Sequence, residues 1–212
     1  INETQKHYIK DNINQDLAMK QHEQFRKTMG DLGIEVVELP AFDAFPEQVF
    51  TRDIGFTIGN KLFVSEMSCD IRQGEEKVLK NWLKENDIDY HDLKSGEIEG
   101  GDVVVDRHSV YVGLGDRTSL SSVEELASML EEYEVIPLPF QSKYLHLDCV
   151  FNVLSEKEAL VYSPAFMKNE LELLSSRYEL IEVTEQEQFT MGTNILNLGS
   201  RKVLSLPVNK QV

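Results

Sequence analysis

Apolar positions along the chain switch between two spacings, and the switch recurs. Over residues 14–31, Leu17, His22, Phe25 and Met29 lie at roughly helical spacing, with Gly30 and Gly33 near the end. This predicts a helix. Ile34-Glu35-Val36-Val37-Glu38-Leu39 reads as a strand closed by Pro40. Strands over 50–58 and 61–66 follow, split by Gly59-Asn60. Glu75 to Glu85 predicts a helix with Val78, Leu79, Trp82 and Leu83 on one face. Ile88 to Leu93 reads as a strand.

The order then repeats. Strands at 98–105 and 108–113 lead to a helix at 121–133 and a strand at 134–138. Strands at 145–154 and 158–162 lead to a helix at 164–176 and a strand at 178–183. A hairpin, 194–198 and 201–206 joined by Gly199-Ser200, opens a further unit. The unit is β-β-α-β with a period near 47 residues. One such unit cannot bury its apolar face alone, and repeats of this length usually build propellers or arrays. Asp53, Glu99, His146 and Asn194 sit at the matching first strand of successive units, in steps of 46, 47 and 48 residues. Units set around a common axis would point these side chains at one central site. The plainer alternative is a chance period in a mixed α/β chain.

Composition narrows the class. The 212 residues are 41% hydrophobic and 27% charged, which suits one α/β domain over 1–212 and excludes disorder, collagen and a coiled coil. Lys+Arg 21 against Asp+Glu 37 leaves a net charge of −16, which repels nucleic acid and anionic lipid. No apolar run approaches the ~20 residues needed to span a bilayer. Two cysteines, Cys69 and Cys149, are too few for a disulfide framework, and no signal peptide is read, so the expected location is cytoplasmic. The chain starts at Ile1 and stops just after a strand-like run, at Leu206 to Val212. A fragment is expected at both ends.

Four segments carry candidate chemistry. Asp53, in the apolar stretch Val49 to Ile58, is costly unless it meets a cation or donors. A substrate guanidinium suits it, since planar N–H forks match a carboxylate bidentately. An internal salt bridge with Arg52 or another arginine fits equally. Glu99-Gly100-Gly101-Asp102 brackets two glycines with acids at the mouth of a buried strand, where backbone can approach a ligand closely. There Glu99 could orient a cation and Asp102 support a neighbouring donor; an acidic surface turn is the alternative. Tyr144 to Cys149 alternates, placing His146 and Asp148 on one face and Leu145, Leu147 and Cys149 on the other. A His beside a carboxylate is a plausible general acid/base, and a solvent-facing pair is the alternative. Cys149 reads as a small buried hydrophobe, and Cys69 sits in a loop among acids. Arg72 and Arg117 stand in loops between hairpin and helix, where an arginine could clamp a carboxylate or simply be ion-paired.

Taken together, Phe50-Thr51-Arg52-Asp53, Arg72 with Glu75, Glu99-Gly100-Gly101-Asp102, Arg117-Thr118 and Leu145-His146-Leu147-Asp148 resemble the guanidine-modifying enzymes of the pentein fold. These include arginine deiminase, dimethylarginine dimethylaminohydrolase and the amidinotransferases. The matches run in family order over about residues 14–206. The resemblance implies a pseudo-fivefold β/α propeller of repeated ββαβ units, here incomplete at both ends, with its site on the axis. It implies His146 as general acid/base, and Glu99 as the carboxylate that binds the guanidinium and supports catalysis. Asp53 and Asp148 would hold guanidinium nitrogens, while Arg117 and Arg72 would bind the substrate carboxylate. The implied activity is hydrolysis of a C–N bond of a guanidino compound through a cysteine amidino-thioether. An amidinotransferase and a non-catalytic binding propeller are the alternatives. The Leu-His-Leu-Asp form is similar to arginine deiminase and the amidinotransferases. Its second carboxylate favours an unmethylated guanidinium, because a methylated nitrogen leaves a buried acceptor unpaired. Neither cysteine matches the family nucleophile, whose extrapolated place lies about one unit beyond Asn194 and past Val212, so the 212 residues alone are expected to be inactive. The expected partner is a small guanidino substrate, a homo-oligomer is allowed, and neither cofactor nor metal is implied.

Overall fold

The computed structural model describes residues 14–199, 202–210 and 212. Ser200 and Arg201, which belong to the last expected hairpin, lie outside the described residues. The chain divides into two units, Ile1–Ala41 and Phe42–Val212.

In the first unit, helix α1 spans Gln15–Asp31. Asn14 caps it by accepting the Leu17 N–H at 3.0 Å, which satisfies one of the orphan donors of the first turn. None of its residues is buried, and Leu17, Met19 and Phe25 stay exposed. The strand expected over 34–39 is not formed: this stretch carries no ladder among the described residues. Its β-branched residues favour an extended backbone, but a strand is stabilised by cross-strand pairs.

The second unit repeats one motif. Strands β1 (Gly55–Ile58) and β2 (Lys61–Val64) form an antiparallel hairpin turned by Gly59 at φ +59°. Helix α2 (Glu75–Glu85) leads to β3 (His91–Asp92), which pairs parallel with β2. The same order recurs in β4 (Val103–Asp106), β5 (Ser109–Leu114), α3 (Leu120–Met129) and β6 (Glu134–Pro139). It recurs again in β7 (Phe151–Val153), β8 (Glu158–Val161), α4 (Lys168–Ser175) and β9 (Glu179–Glu182). Each of these sheets has three strands, with the hairpin antiparallel and the third strand parallel to the second. A short helix α5 (Glu185–Phe189) precedes a two-stranded pair, β10 (Leu196–Asn197) and β11 (Val203–Leu204). Among the described residues, none of the four sheets closes on itself.

The period-two geometry of β5 explains how the core is divided. Val110 and Val112 pack with Phe56, Ile58, Phe63 and Leu126 on one face. Tyr111 packs with Leu138, Phe151, Ala159 and Leu174 on the other. The sheet is covered on both faces, so its strands read as continuous apolar runs. No helix among the described residues is long and apolar enough to cross a membrane.

The strands are shorter than expected at their starts. Residues 50–54 and 98–102 precede their hairpins rather than extending them. Leu147–Cys149 is a turn of 3-10 helix, not the alternating strand the sequence suggested. The reason lies in one hydrogen bond: the Leu147 N–H donates to Asp102 Oδ1 at 2.8 Å, so it is withdrawn from any ladder. Gly100–Asp102 forms the equivalent turn one unit earlier. These pre-hairpin segments carry the candidate chemistry.

Candidate active site

Successive units are tied together through their opening segments. The Gly100 N–H donates to Asp53 O at 2.9 Å, the Leu147 N–H to Asp102 Oδ1, and Thr193 Oγ1 to Asp148 O at 3.0 Å. Glycine is required where the segments cross. A Cβ on Gly100 would lie 2.2 Å from Arg52 O. A Cβ on Gly101 would lie 2.6 Å from His146 Nδ1 and 2.9 Å from Asp53 Oδ1. Both gaps are far below van der Waals contact. The two glycines therefore let His146 and Asp53 stack over the backbone of the second unit.

His146 stands at the centre, 3% exposed. Its Nε2 is 2.8 Å from Glu99 Oε2, and its Nδ1 is 3.6 Å from Asp53 Oδ1. Burial works against a charged imidazole. The Glu99 hydrogen bond and the charges of Asp53, Asp102 and Asp148 overcome it and raise the His146 pKa to about 9. Glu99 is fully buried, which opposes its ionisation. The hydrogen bond and charge of His146, then Arg117 and the Ser68 N–H, nevertheless bring its pKa down to about 2. The pair is thus an imidazolium and a carboxylate at neutral pH.

Glu99 has further partners. Its Oε1 accepts from Ser68 N at 3.1 Å, Ser68 Oγ at 2.9 Å and Arg117 Nη1 at 3.3 Å. Ser68 was not legible as a site residue; its proximity to Cys69 and the acids of the 65–70 loop was the available signal. Behind Glu99, Thr118 Oγ1 donates to Asp102 Oδ2 at 2.7 Å and takes the Glu99 N–H at 3.3 Å. Burial dominates at Asp102 and pushes its pKa up to about 7, against the pull of His146, Thr118 and the Leu147 N–H.

Asp53 is held by Arg72, whose Nη1 donates to Asp53 Oδ2 at 2.6 Å. The same guanidinium donates from Nε and Nη2 to Glu75 Oε2 at 3.0 and 2.8 Å, and from Nη2 to Phe50 O at 3.2 Å. Arg72 is 2% exposed. Its donors are committed to the chain itself, which differs from the expected contact with a substrate carboxylate. Asp148 accepts from Asn194 Nδ2 at 2.9 Å on Oδ1, and its Oδ2 lies 3.7 Å from Arg52 Nε. Spacing alone aligns Asn194 with Asp53, Glu99 and His146. Its side chain completes Asp148.

All seven expected residues, Asp53, Arg72, Glu99, Asp102, Arg117, His146 and Asp148, therefore fall in one connected cluster drawn from three successive units. Cys149 does not join it as a nucleophile. Burial and then Asp148 push its thiol pKa up, and its Sγ lies 3.7 Å from Asp148 Oδ1. Asp53, Glu99 and His146 each offer one ligand atom within 4.8 Å of one another, a set that could hold a metal once His146 had lost its proton. Chemically, the arrangement offers carboxylates to a flat cation and a buried proton donor beside them.

Comparison with known proteins adds an independent line. The family model of eukaryotic N,N dimethylarginine dimethylhydrolase matches residues 1–211. The uncharacterized protein YkgA of Bacillus subtilis is 49% identical over 212 residues, all of this chain and 74% of YkgA. Among solved structures, the N-terminal domain of cyanobacterial ArgZ, an arginine dihydrolase, is similar in a cysteine-to-serine mutant bound to substrate. It aligns with a TM-score of 0.86 at 26% identity, covering 100% of this chain and 80% of that one. A second ArgZ domain structure, an asparagine-to-serine variant covalently bonded to a reaction intermediate, aligns at 0.83 and 27%, covering 93% and 75%.

Proposed function

The chain belongs to the N,N dimethylarginine dimethylhydrolase family of guanidine-modifying pentein enzymes, and from that membership we propose that it holds and hydrolyses the guanidino group of arginine or a close derivative. The carrying observation is the buried His146 flanked by Glu99 at 2.8 Å and Asp53 at 3.6 Å, with the charge of Asp148 also acting on the imidazole. Three carboxylates around one imidazolium suit a planar cation with several N–H donors. They suit an unmethylated guanidinium best, since each methyl group leaves one buried oxygen without a donor.

On this reading Glu99, Asp53 and Asp148 orient the guanidinium, and Arg117, 15% exposed, turns to the substrate carboxylate. Arg72 fixes Asp53 from behind. A cysteine thiolate attacks the guanidinium carbon and forms a C–S bond. The C–N bond breaks, and the departing nitrogen takes the proton of His146. Water then attacks the amidino-thioether carbon, gives a proton to His146 and releases the thiolate, leaving a ureido product. General acid/base assistance of this kind contributes about 10²–10⁴-fold. The covalently trapped ArgZ domain supports such a course. Cys149 is too buried and too weakly acidic to supply that thiolate. The repeated units are proposed to surround one axis, as the blades of a β/α propeller.

Incubation of the chain with L-arginine, asymmetric dimethylarginine and agmatine, with and without an added amine acceptor, tests this proposal. Saturable L-arginine binding is expected, and a ureido product would support the hydrolytic reading. An amidino group transferred to the amine would make the activity a transferase, and no binding of any guanidine would overturn the proposal.

A further inference from the structure

Arg52 stands beside the site without being part of the imidazole cluster. Its backbone is pinned: Arg52 O packs on Gly100, and the neighbouring Asp53 O accepts the Gly100 N–H. Its side chain reaches back across the unit boundary, and Nη2 donates to Val103 O at the start of β4 at 2.7 Å. The other side of the guanidinium faces the third unit, with Nε 3.7 Å from Asp148 Oδ2. One half-exposed arginine thus links the opening segments of three units.

Asp148 needs such a neighbour. It is 5% exposed, and a buried carboxylate is costly without a cation or donors. The groups facing it are Arg52 and His146 on the positive side, Asp53 and Asp102 on the negative side, the Cys149 thiol and the neutral Asn194 amide. His146 is already shared between Glu99 and Asp53. Arg72 is committed to Asp53, and Arg117 lies against Glu99. Arg52 is therefore the arginine left to balance Asp148.

Resting on the guanidine reading above, we propose that Arg52 is a positioning residue, which ties Asp148 to β4 and supplies the charge that keeps its carboxylate ready for a substrate guanidinium. Burial already raises the Asp148 pKa, and Arg52 is the leading charge that opposes the rise. Without it, Asp148 takes up a proton at higher pH, and a neutral carboxyl no longer pairs with a cation. Lysine keeps the charge; glutamine does not.

The test has two arms. In the first, the ¹³C carboxyl resonance of Asp148, assigned with Asp148→Asn, is titrated in the unaltered chain, in Arg52→Gln and in Arg52→Lys. The midpoint is expected to rise by about one unit in Arg52→Gln and to stay near the original in Arg52→Lys. In the second, L-arginine binding is measured from pH 5 to 8. Arg52→Gln is expected to weaken it by up to about tenfold, the loss growing as pH falls, with Arg52→Lys restoring most of the affinity. An unmoved Asp148 midpoint in Arg52→Gln overturns the proposal, as does a weakening of binding that is the same at every pH. If Arg52→Gln does not fold, a midpoint in Arg52→Lys raised by a unit also overturns it. Failure of the unaltered chain to bind L-arginine would instead overturn the guanidine reading, while the carboxyl titration still decides the part of Arg52.

Discussion

His146 and Glu99 lie in different units, 47 residues apart, yet meet through Nε2 and Oε2 at 2.8 Å with both side chains buried. The pair moves each group towards its charged form. The folded His146 pKa is raised from 6.5 to about 9, so its stabilisation is complete below pH 6.5 and drains away as pH rises through 9. Glu99 is lowered from 4.5 to about 2, so its contribution is present above pH 4.5 and is lost as pH falls through 2. In Glu99→Gln the imidazole titration, followed by ¹⁵N resonances, should fall from about 9 towards 6.5. Each unit corresponds to about 1.4 kcal/mol. An unchanged midpoint would contradict the pairing.

Gly101→Ala should destabilise the chain by about 1–3 kcal/mol, the cost of overpacking a site that cannot relax. The added methyl would meet the His146 ring and Asp53 Oδ1, neither the free end of a flexible side chain. Gly30→Ala is the counterpart. It lies in α1 with nothing within 4 Å, and should stabilise by roughly 0.5–1 kcal/mol through helix propensity. Urea unfolding of the two variants measures both signs.

Arg72→Ala should cost about 3–5 kcal/mol, because it leaves Asp53 and Glu75 buried without their cation. Adding Glu75→Gln should recover part of that loss. If the two changes simply add in denaturant unfolding, the bridge carries no coupling energy.

The chain has two thiols of different access: Cys149 is buried and Cys69 partly exposed. Ellman's reagent should modify one thiol in the native chain and both in denaturant. Rapid reaction at Cys149 in the native chain would contradict its place behind Asp148.

What the sequence disclosed depends on what each element needs. Helix α2 has the expected limits, Glu75–Glu85, because its apolar face is set by local spacing. The extended stretches depend on partners. Residues 34–39 have β-branched character without a ladder, and the expected strand Ile88–Leu93 pairs only at His91–Asp92. At Leu145, Leu147 and Cys149 the alternation imitates a strand, but the Asp102 carboxylate captures the Leu147 N–H and closes a turn. Helix α5 is not legible because five residues carry too little periodicity. Its Thr184-x-x-Glu187 cap was present in the sequence, with the Glu187 N–H donated to Thr184 Oγ1 at 3.2 Å. At the site, the residue types and their 46–48-residue spacing could be read, because both stand in the sequence itself. The pairing of arginines with acids could not. Arg52 is next to Asp53 in sequence but serves Asp148, while Arg72, 19 residues on, serves Asp53.

Calorimetric titration with L-arginine at neutral pH tests most directly whether Asp53 and Glu99 present their carboxylates to a guanidinium beside His146. Saturable binding is expected in the unaltered chain, weakened about tenfold or more in Asp53→Asn and in Glu99→Gln, as loss of one charge-assisted hydrogen bond requires. Binding left intact in both variants, each verified as folded, would contradict a guanidinium site at this cluster.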